Sequence, residues 1–137
     1  MNWNRRKFVK TTSAIAGASS CGLISVAGCT PIKYVSGEVK NNAMVVDKSQ
    51  WGDAEFVLVK NPKLPAPIFL KHSGQGYNAL LLECTHKQCE VRPNSRSLKC
   101  PCHGSEYDHV GKVLEGPAEK DLKSFKVWED DKTIYIQ

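Results

Sequence analysis

The chain has 137 residues and 15.2 kDa, 41% hydrophobic and 24% charged, which fits one ordinary domain and excludes collagen-like and disordered classes. A formal net charge of +5, from 19 Lys+Arg against 14 Asp+Glu, points when taken alone to a nucleic-acid or anionic-membrane partner. Six cysteines are too few for a disulfide-dense miniprotein and too many to be incidental.

The early charge is confined to Arg5, Arg6, Lys7 and Lys10, and from Thr11 to Ile32 no residue is charged. Paired arginines before such a stretch form a bacterial twin-arginine export signal. Asn4-Arg5-Arg6-Lys7-Phe8-Val9-Lys10 resembles the consensus of those signals, with Asn4 where Ser or Thr is usual. The stretch ends in Val26-Ala27-Gly28-Cys29, which resembles a bacterial lipoprotein processing box and makes Cys29, rather than Cys21, the expected lipid acceptor. Residues 1–28 are therefore read as a cleaved signal. The competing reading is a retained membrane anchor, since 22 uncharged residues can span the hydrocarbon core. That helix would be marginal, because Thr, Ser and Gly fill about half of residues 11–28. Either reading places the remainder at the outer face of the bacterial cytoplasmic membrane.

Residues 29–42 are mixed and polar and read as a tether, leaving 43–137 as the folded domain. Four strand-length apolar runs follow: Ala43-Met44-Val45-Val46, Phe56-Val57-Leu58-Val59, Ile68-Phe69-Leu70 and Ala79-Leu80-Leu81-Leu82. Breakers separate them at Gly52-Asp53, at Asn61-Pro62 with Pro65 and Pro67, and at Ser73-Gly74-Gln75-Gly76. Near the end, Ser124-Phe125-Lys126-Val127-Trp128 and Thr133-Ile134-Tyr135-Ile136 alternate as half-buried strands do. No window after Lys33 offers a long amphipathic helix, so the predicted class is all-β.

The chemistry is concentrated between residues 84 and 107. Cys84-Thr85-His86-Lys87-Gln88-Cys89 and Cys100-Pro101-Cys102-His103-Gly104-Ser105 hold four of the six cysteines and two of the four histidines. Two loops that each present thiolate and imidazole can converge on one metal centre. By residue type alone, a structural zinc site and a two-disulfide domain are also open.

The order and spacing of these boxes resemble the Rieske iron–sulfur proteins, where two histidines replace two cysteines on one iron of a [2Fe–2S] cluster. The resemblance implies a Rieske-type fold of antiparallel sheets with a small cluster-binding subdomain. It implies that Cys84 and Cys100 hold the inner iron and His86 and His103 the outer one. Two neutral imidazoles in place of thiolates lower the negative charge at the cluster and raise its potential. The family further implies a Cys89–Cys102 disulfide, as in the subunits of quinol-oxidising cytochrome bc-type complexes. A disulfide needs an oxidising compartment, which the export signal supplies independently. Ser105 and Tyr107 fall where high-potential members donate hydrogen bonds to a bridging sulfide and to the ligand Cys84. The expected potential is therefore in the upper part of about −150 to +300 mV. Gly116-Pro117-Ala118 matches the loop covering the cluster from a third side. Two departures stand out: Gln88 occupies a place where many members have Gly, and the ten-residue spacer between boxes is short.

Other groups read as ordinary structure. His72 and His109 are expected to be solvated loop residues, Trp51 and Trp128 to pack at the core or rim, and Lys120, Lys123 and Lys126 to form a solvated face. The resemblance implies one-electron transfer, with no bond-making chemistry by this chain alone, as the iron–sulfur subunit of a quinol-oxidising cytochrome bc-type complex. Its partners would be quinol and b- or c-type cytochromes. Alternatives are the small subunit of an exported, arsenite-oxidase-like molybdenum oxidoreductase and a stand-alone lipid-tethered carrier. Nucleic acid drops out of the list: cleavage before Cys29 leaves 15 basic against 14 acidic residues, a net charge of +1.

Overall fold

Strand-length apolar runs without polar alternation are what a sheet buried on both faces requires. The computed structural model describes residues 31–137; the export signal, the retained-anchor alternative and Cys29 all lie outside the described residues. The strands are β1 (Lys33–Ser36), β2 (Glu38–Lys40), β3 (Ala43–Asp47), β4 (Phe56–Lys60), β5 (Ile68–Ser73), β6 (Gly76–Leu81) and β7 (Arg92–Pro93). They continue as β8 (Leu98–Lys99), β9 (Glu106–Tyr107), β10 (Val113–Glu115), β11 (Ser124–Phe125), β12 (Val127–Glu129) and β13 (Thr133–Ile136), with a single 3₁₀ turn at Lys48–Gln50 among the described residues. The class is all-β, as expected. No helix among the described residues is long and apolar enough to cross a membrane.

Three layers result. The central sheet has the order β1-β4-β5-β6-β11, antiparallel except for the parallel pair β1 and β4. On one face Val57, Val59, Ile68, Leu70, Ala79 and Leu81 join Met44, Val46, Ile134 and Ile136 of the sheet β12-β13-β3-β2. On the other, Leu58, Phe69, Leu80 and Leu82 meet Val91, Leu98, Cys100 and Tyr107 of the small sheet β10-β9-β8-β7 and its loops. Successive residues of one strand thus serve two cores, which is the reason for the unbroken runs.

Three sequence expectations are corrected. Residues 33–42 are not tether: β1 pairs with β4, placing Val35 opposite Val59, and β2 pairs with β3. Both are short edge strands whose single core residue, Val35, leaves no period to read. Asn41 and Asn42 form the two-residue turn between β2 and β3, with φ of 49° and 65°, in the left-handed region that Asn tolerates. The segment 124–128 is two strands, because the chain leaves the central sheet after Phe125 and enters the outer one at Val127. Lys126 exchanges two backbone hydrogen bonds with Gln137 at the crossing.

His109 is no solvated loop residue. Its half-buried ring packs on Phe69, its Nδ1 lies 3.2 Å from Lys71 Nζ, and its Nε2 lies 3.1 Å from the Asn94 carbonyl. Lys71 also pairs with Glu55 at 2.6 Å, so the central sheet and the cluster-loop layer are joined by a polar chain. Trp51 packs half-buried against the first core, while Trp128 stacks on Tyr135 at the rim. Lys120, Lys123 and Lys126 are exposed.

The register fixes where the chain enters and leaves the central sheet. The chain enters it at Lys33, beside Val57 at the start of β4, and leaves β6 past Leu81, beside Ile68. Through Val57 and Leu70 the Lys33 row aligns with Ala79, two residues short of Leu81, an offset of about 7 Å along the strands. The loop carrying Cys84 therefore leaves the sheet about two residues beyond the row at which the chain enters.

A Cβ on Gly37 would come within 2.5 Å of Met44 Sδ and 2.6 Å of Val59 Cγ1. Gly37→Ala should cost about 1–3 kcal/mol in a denaturant titration, whereas in a tether it would be neutral.

Candidate metal centre

Cys84 begins a loop between β6 and β7, and Cys100 begins one between β8 and β9; the two are closed by the same backbone construction. In the first, the Gln88 N–H donates to the Cys84 carbonyl (2.8 Å) and the Cys84 N–H to the Cys89 carbonyl (2.9 Å). In the second, the Gly104 N–H donates to the Cys100 carbonyl (3.1 Å) and the Cys100 N–H to the Ser105 carbonyl (2.8 Å). The fourth residue after each cysteine is left-handed, with φ of 60° at Gln88 and 83° at Gly104. Glycine adopts this freely and glutamine does not, which gives the Gln88 departure a physical content: strain on the order of 1 kcal/mol.

Tight closure buries the two leading thiols. Cys84 and Cys100 are each 1% exposed and unbonded. The His86 and His103 rings face each other at 4.9 Å and 87°. His103 is exposed and His86 half-buried. His86 Nδ1 is buried with no hydrogen-bond partner, a costly state for a ring nitrogen unless something outside the chain takes its lone pair or proton. Cys89 and Cys102 form a disulfide linking the two loops, with Cα atoms 6.5 Å apart.

Surrounding groups favour a thiolate at Cys84. Burial pushes the thiol's pKa up, but hydrogen bonds from Tyr107, from the backbone at His86 and Lys87, and from Cys100 outweigh it and hold the pKa below the ordinary value. Tyr107 Oη is 3.4 Å from Cys84 Sγ, and burial together with the cysteine raises the phenol's own pKa. Ser105 is fully buried, and its Oγ accepts the Ala118 N–H at 3.0 Å, which ties the Gly116-Pro117-Ala118 segment to the second loop and leaves the serine proton free. Thr85, given no role by the sequence reading, donates its N–H to Tyr107 Oη at 3.2 Å and its hydroxyl to the Lys120 carbonyl at 2.6 Å. A hydroxyl inside the first box was the only signal for it.

The His86 and His103 rings thus face each other, the disulfide links the loops that carry the buried thiols Cys84 and Cys100, and Tyr107 lies beside Cys84. A second grouping, Cys89, Cys100 and Cys102, has sulfurs within 4.8 Å of one another. Two of those sulfurs are bonded to each other, so this trio is a disulfide packed on a thiol and no metal site. Two thiols and two imidazoles suit tetrahedral zinc as well as a mixed-ligand iron–sulfur cluster, and similarity to known proteins decides between them.

The Rieske [2Fe-2S] domain family matches residues 32–126. The cytochrome b6-f complex iron-sulfur subunit 1 of Nostoc sp. is 48% identical over 86 residues, covering 61% of this chain and 42% of the relative. The corresponding subunit of Synechococcus elongatus is 48% identical over 88 residues, covering 61% and 43%. The chain thus spans less than half the length of these curated relatives. Among solved structures, the plasma membrane Rieske protein PetC3 of Synechocystis PCC 6803 superposes with a TM-score of 0.56 at 26% identity, covering 66% of this chain and 94% of that one. A match across most of the described domain, on top of the paired boxes, means that the chain belongs to the Rieske [2Fe-2S] family and that its cofactor is a [2Fe–2S] cluster.

Proposed function

We propose that the protein passes single electrons through this cluster as the iron–sulfur subunit of a quinol-oxidising cytochrome bc-type complex at the outer face of the cytoplasmic membrane. The observation that supports the reading is the pair of disulfide-linked loops, which carry two buried free thiols and two imidazoles facing each other at 4.9 Å. The 48% identity to cytochrome b6-f subunits supports the choice of complex.

Cys84 and Cys100 hold one iron through sulfur, and His86 and His103 the other through nitrogen; His86 Nδ1, buried without a partner, is suited to that bond. When bound, the cluster takes up and returns one electron. The chain's own residues set the ease of that step. With Cys84 deprotonated, Tyr107 donates its single proton toward Sγ, and Ser105 keeps its proton free to donate to a cluster sulfide. Both bonds strengthen as negative charge grows on the acceptors, so they favour the reduced form. The disulfide holds the loops in register around the ligands. Exposed His103, rather than half-buried His86, is the ligand that quinol reaches.

A second reading, a lipid-tethered carrier independent of any complex, is favoured by the plasma-membrane relative that this chain covers over 94% of its length. Mild detergent extraction separates the readings. Co-purifying cytochrome b supports the complex, a molybdopterin subunit supports an oxidoreductase, and a solitary protein supports the carrier. Mass spectrometry of the extracted protein should find an acylated Cys29 at the N-terminus; an intact Met1 means a retained anchor instead.

Tyr107→Phe should lower the midpoint potential in a redox titration by about 20–60 mV, the equivalent of one hydrogen bond of 0.5–1.5 kcal/mol; an unchanged value removes the proposed bond. Removing the disulfide with Cys89→Ser plus Cys102→Ser reopens a loop of sequence separation 13 and should cost about 3 kcal/mol in denaturant unfolding. The same variant should lose cluster absorption faster on warming.

A further inference from the structure

Three sulfurs crowd one point beside the ligand set. The Sγ atoms of Cys89, Cys100 and Cys102 lie within 4.8 Å of one another; two are joined as a disulfide and the third is a free thiol. A thiolate beside a disulfide is the starting arrangement of exchange, in which the nucleophile bonds one sulfur and expels the other.

We propose that in the cluster-free chain Cys100 attacks the Cys89–Cys102 disulfide, forming Cys89–Cys100 and releasing Cys102, and that the bound cluster prevents this by engaging the Cys100 sulfur. The inference rests on the reading that Cys100 is an iron ligand. One S–S bond breaks as another forms, the electron pair of the old bond leaves on Cys102, and the proton lost by Cys100 is regained there. No oxidant or reductant enters.

Exposure sets the direction. Cys102 is exposed, so water solvates it as the leaving thiolate, whereas Cys89 is half-buried and keeps its place in the new bond. Attack on Cys102 instead would enclose a disulfide between residues 100 and 102, inside a turn already closed by the Gly104 to Cys100 hydrogen bond. The preferred product costs the chain a ligand: with Cys100 in a disulfide, the cluster site is a thiol short. A chain that closes its disulfide before receiving iron therefore drifts into a form that does not load. This imposes an order of assembly, cluster first and oxidising compartment second.

The test uses the full-length protein purified with its cluster. One half is stripped of iron by a chelator under inert gas. Both halves are incubated at mildly alkaline pH, quenched with acid and an alkylating reagent, and their disulfide-linked peptides are measured by mass spectrometry. The stripped half should gain the Cys89–Cys100 peptide by at least about tenfold over the cluster-bearing half, with Cys102 alkylated in step. Iron and sulfide should then restore cluster absorption only in proportion to the surviving Cys89–Cys102 peptide. A stripped chain that keeps Cys89–Cys102 alone, or equal exchange in both halves, overturns the proposal. The electron paramagnetic resonance signal of the starting material reports on the ligand reading separately: a Cys100→Ser chain that still shows the Rieske signal removes that reading, whatever the peptides do.

Discussion

The metal centre depends on the packing of a very small layer onto one face of the central sheet. The strands β7, β8 and β9 are two residues long, too short to hold a shape through backbone pairing alone. They are held because Leu98 and Tyr107 are buried against Phe69, Leu80 and Leu82, side chains that the central sheet turns away from its first core. The sheet is fixed by its other face, where Val57, Ile68 and Leu70 meet Ile134 and Ile136. The precision of the two cluster loops is therefore borrowed from a core on the far side of a sheet they only partly touch. The His109 bridge, from Lys71 to the Asn94 carbonyl, adds polar orientation to that apolar contact.

The two loops illustrate how one backbone solution is reached twice. Each needs a residue that turns left-handed four positions after its cysteine, so that the cysteine's carbonyl and N–H are both satisfied and its sulfur is directed inward. Gly104 meets this need without strain, and Gln88 meets it against its preference. The functional residues differ within the shared frame. His86 is second after its cysteine and His103 third after its own, so the two imidazoles meet at nearly a right angle instead of superposing by symmetry. The loop frame is general; the offset of the histidines makes it a site.

How far the structure could be read in advance follows from how local each feature is. The candidate site was legible because the expected ligands, the disulfide partners and the expected tuning hydroxyls all fall within 24 positions, in an order few other sites share. The central strands were legible because burial on both faces leaves unbroken apolar runs such as Val57-Leu58-Val59. The edge strands β1 and β2 were not, since between them they bury only Val35 and β1 is held by pairing with the distant β4. Asn41-Asn42 before Ala43 is nonetheless a two-residue hairpin signal, set within an otherwise mixed polar segment. The half-burial of His109 is equally hidden from the sequence: its surroundings are Phe69, Lys71 and Asn94, none of them a sequence neighbour. Thr85 sat inside the recognised box, but its partners Tyr107 and Lys120 come from two other segments.

The loss of the tether bears on function more than on fold. With strand structure beginning at Lys33, only three residues separate the expected lipid acceptor Cys29 from the folded domain. Fully extended, that span reaches about 14 Å between the Cα atoms of 29 and 33. The chain enters the central sheet level with Ala79, two residues and about 7 Å short of the row from which β6 leaves toward Cys84. A head lipidated at Cys29 would therefore sit on a short leash, with little room to swing between a quinol site and a cytochrome. A retained anchor would move the membrane boundary back along the uncharged run and lengthen the leash residue by residue. The fate of Cys29 and the choice between complex subunit and tethered carrier are thus one question: a mobile head in a complex requires the longer link, and the lipidated form favours a carrier whose partner comes to it.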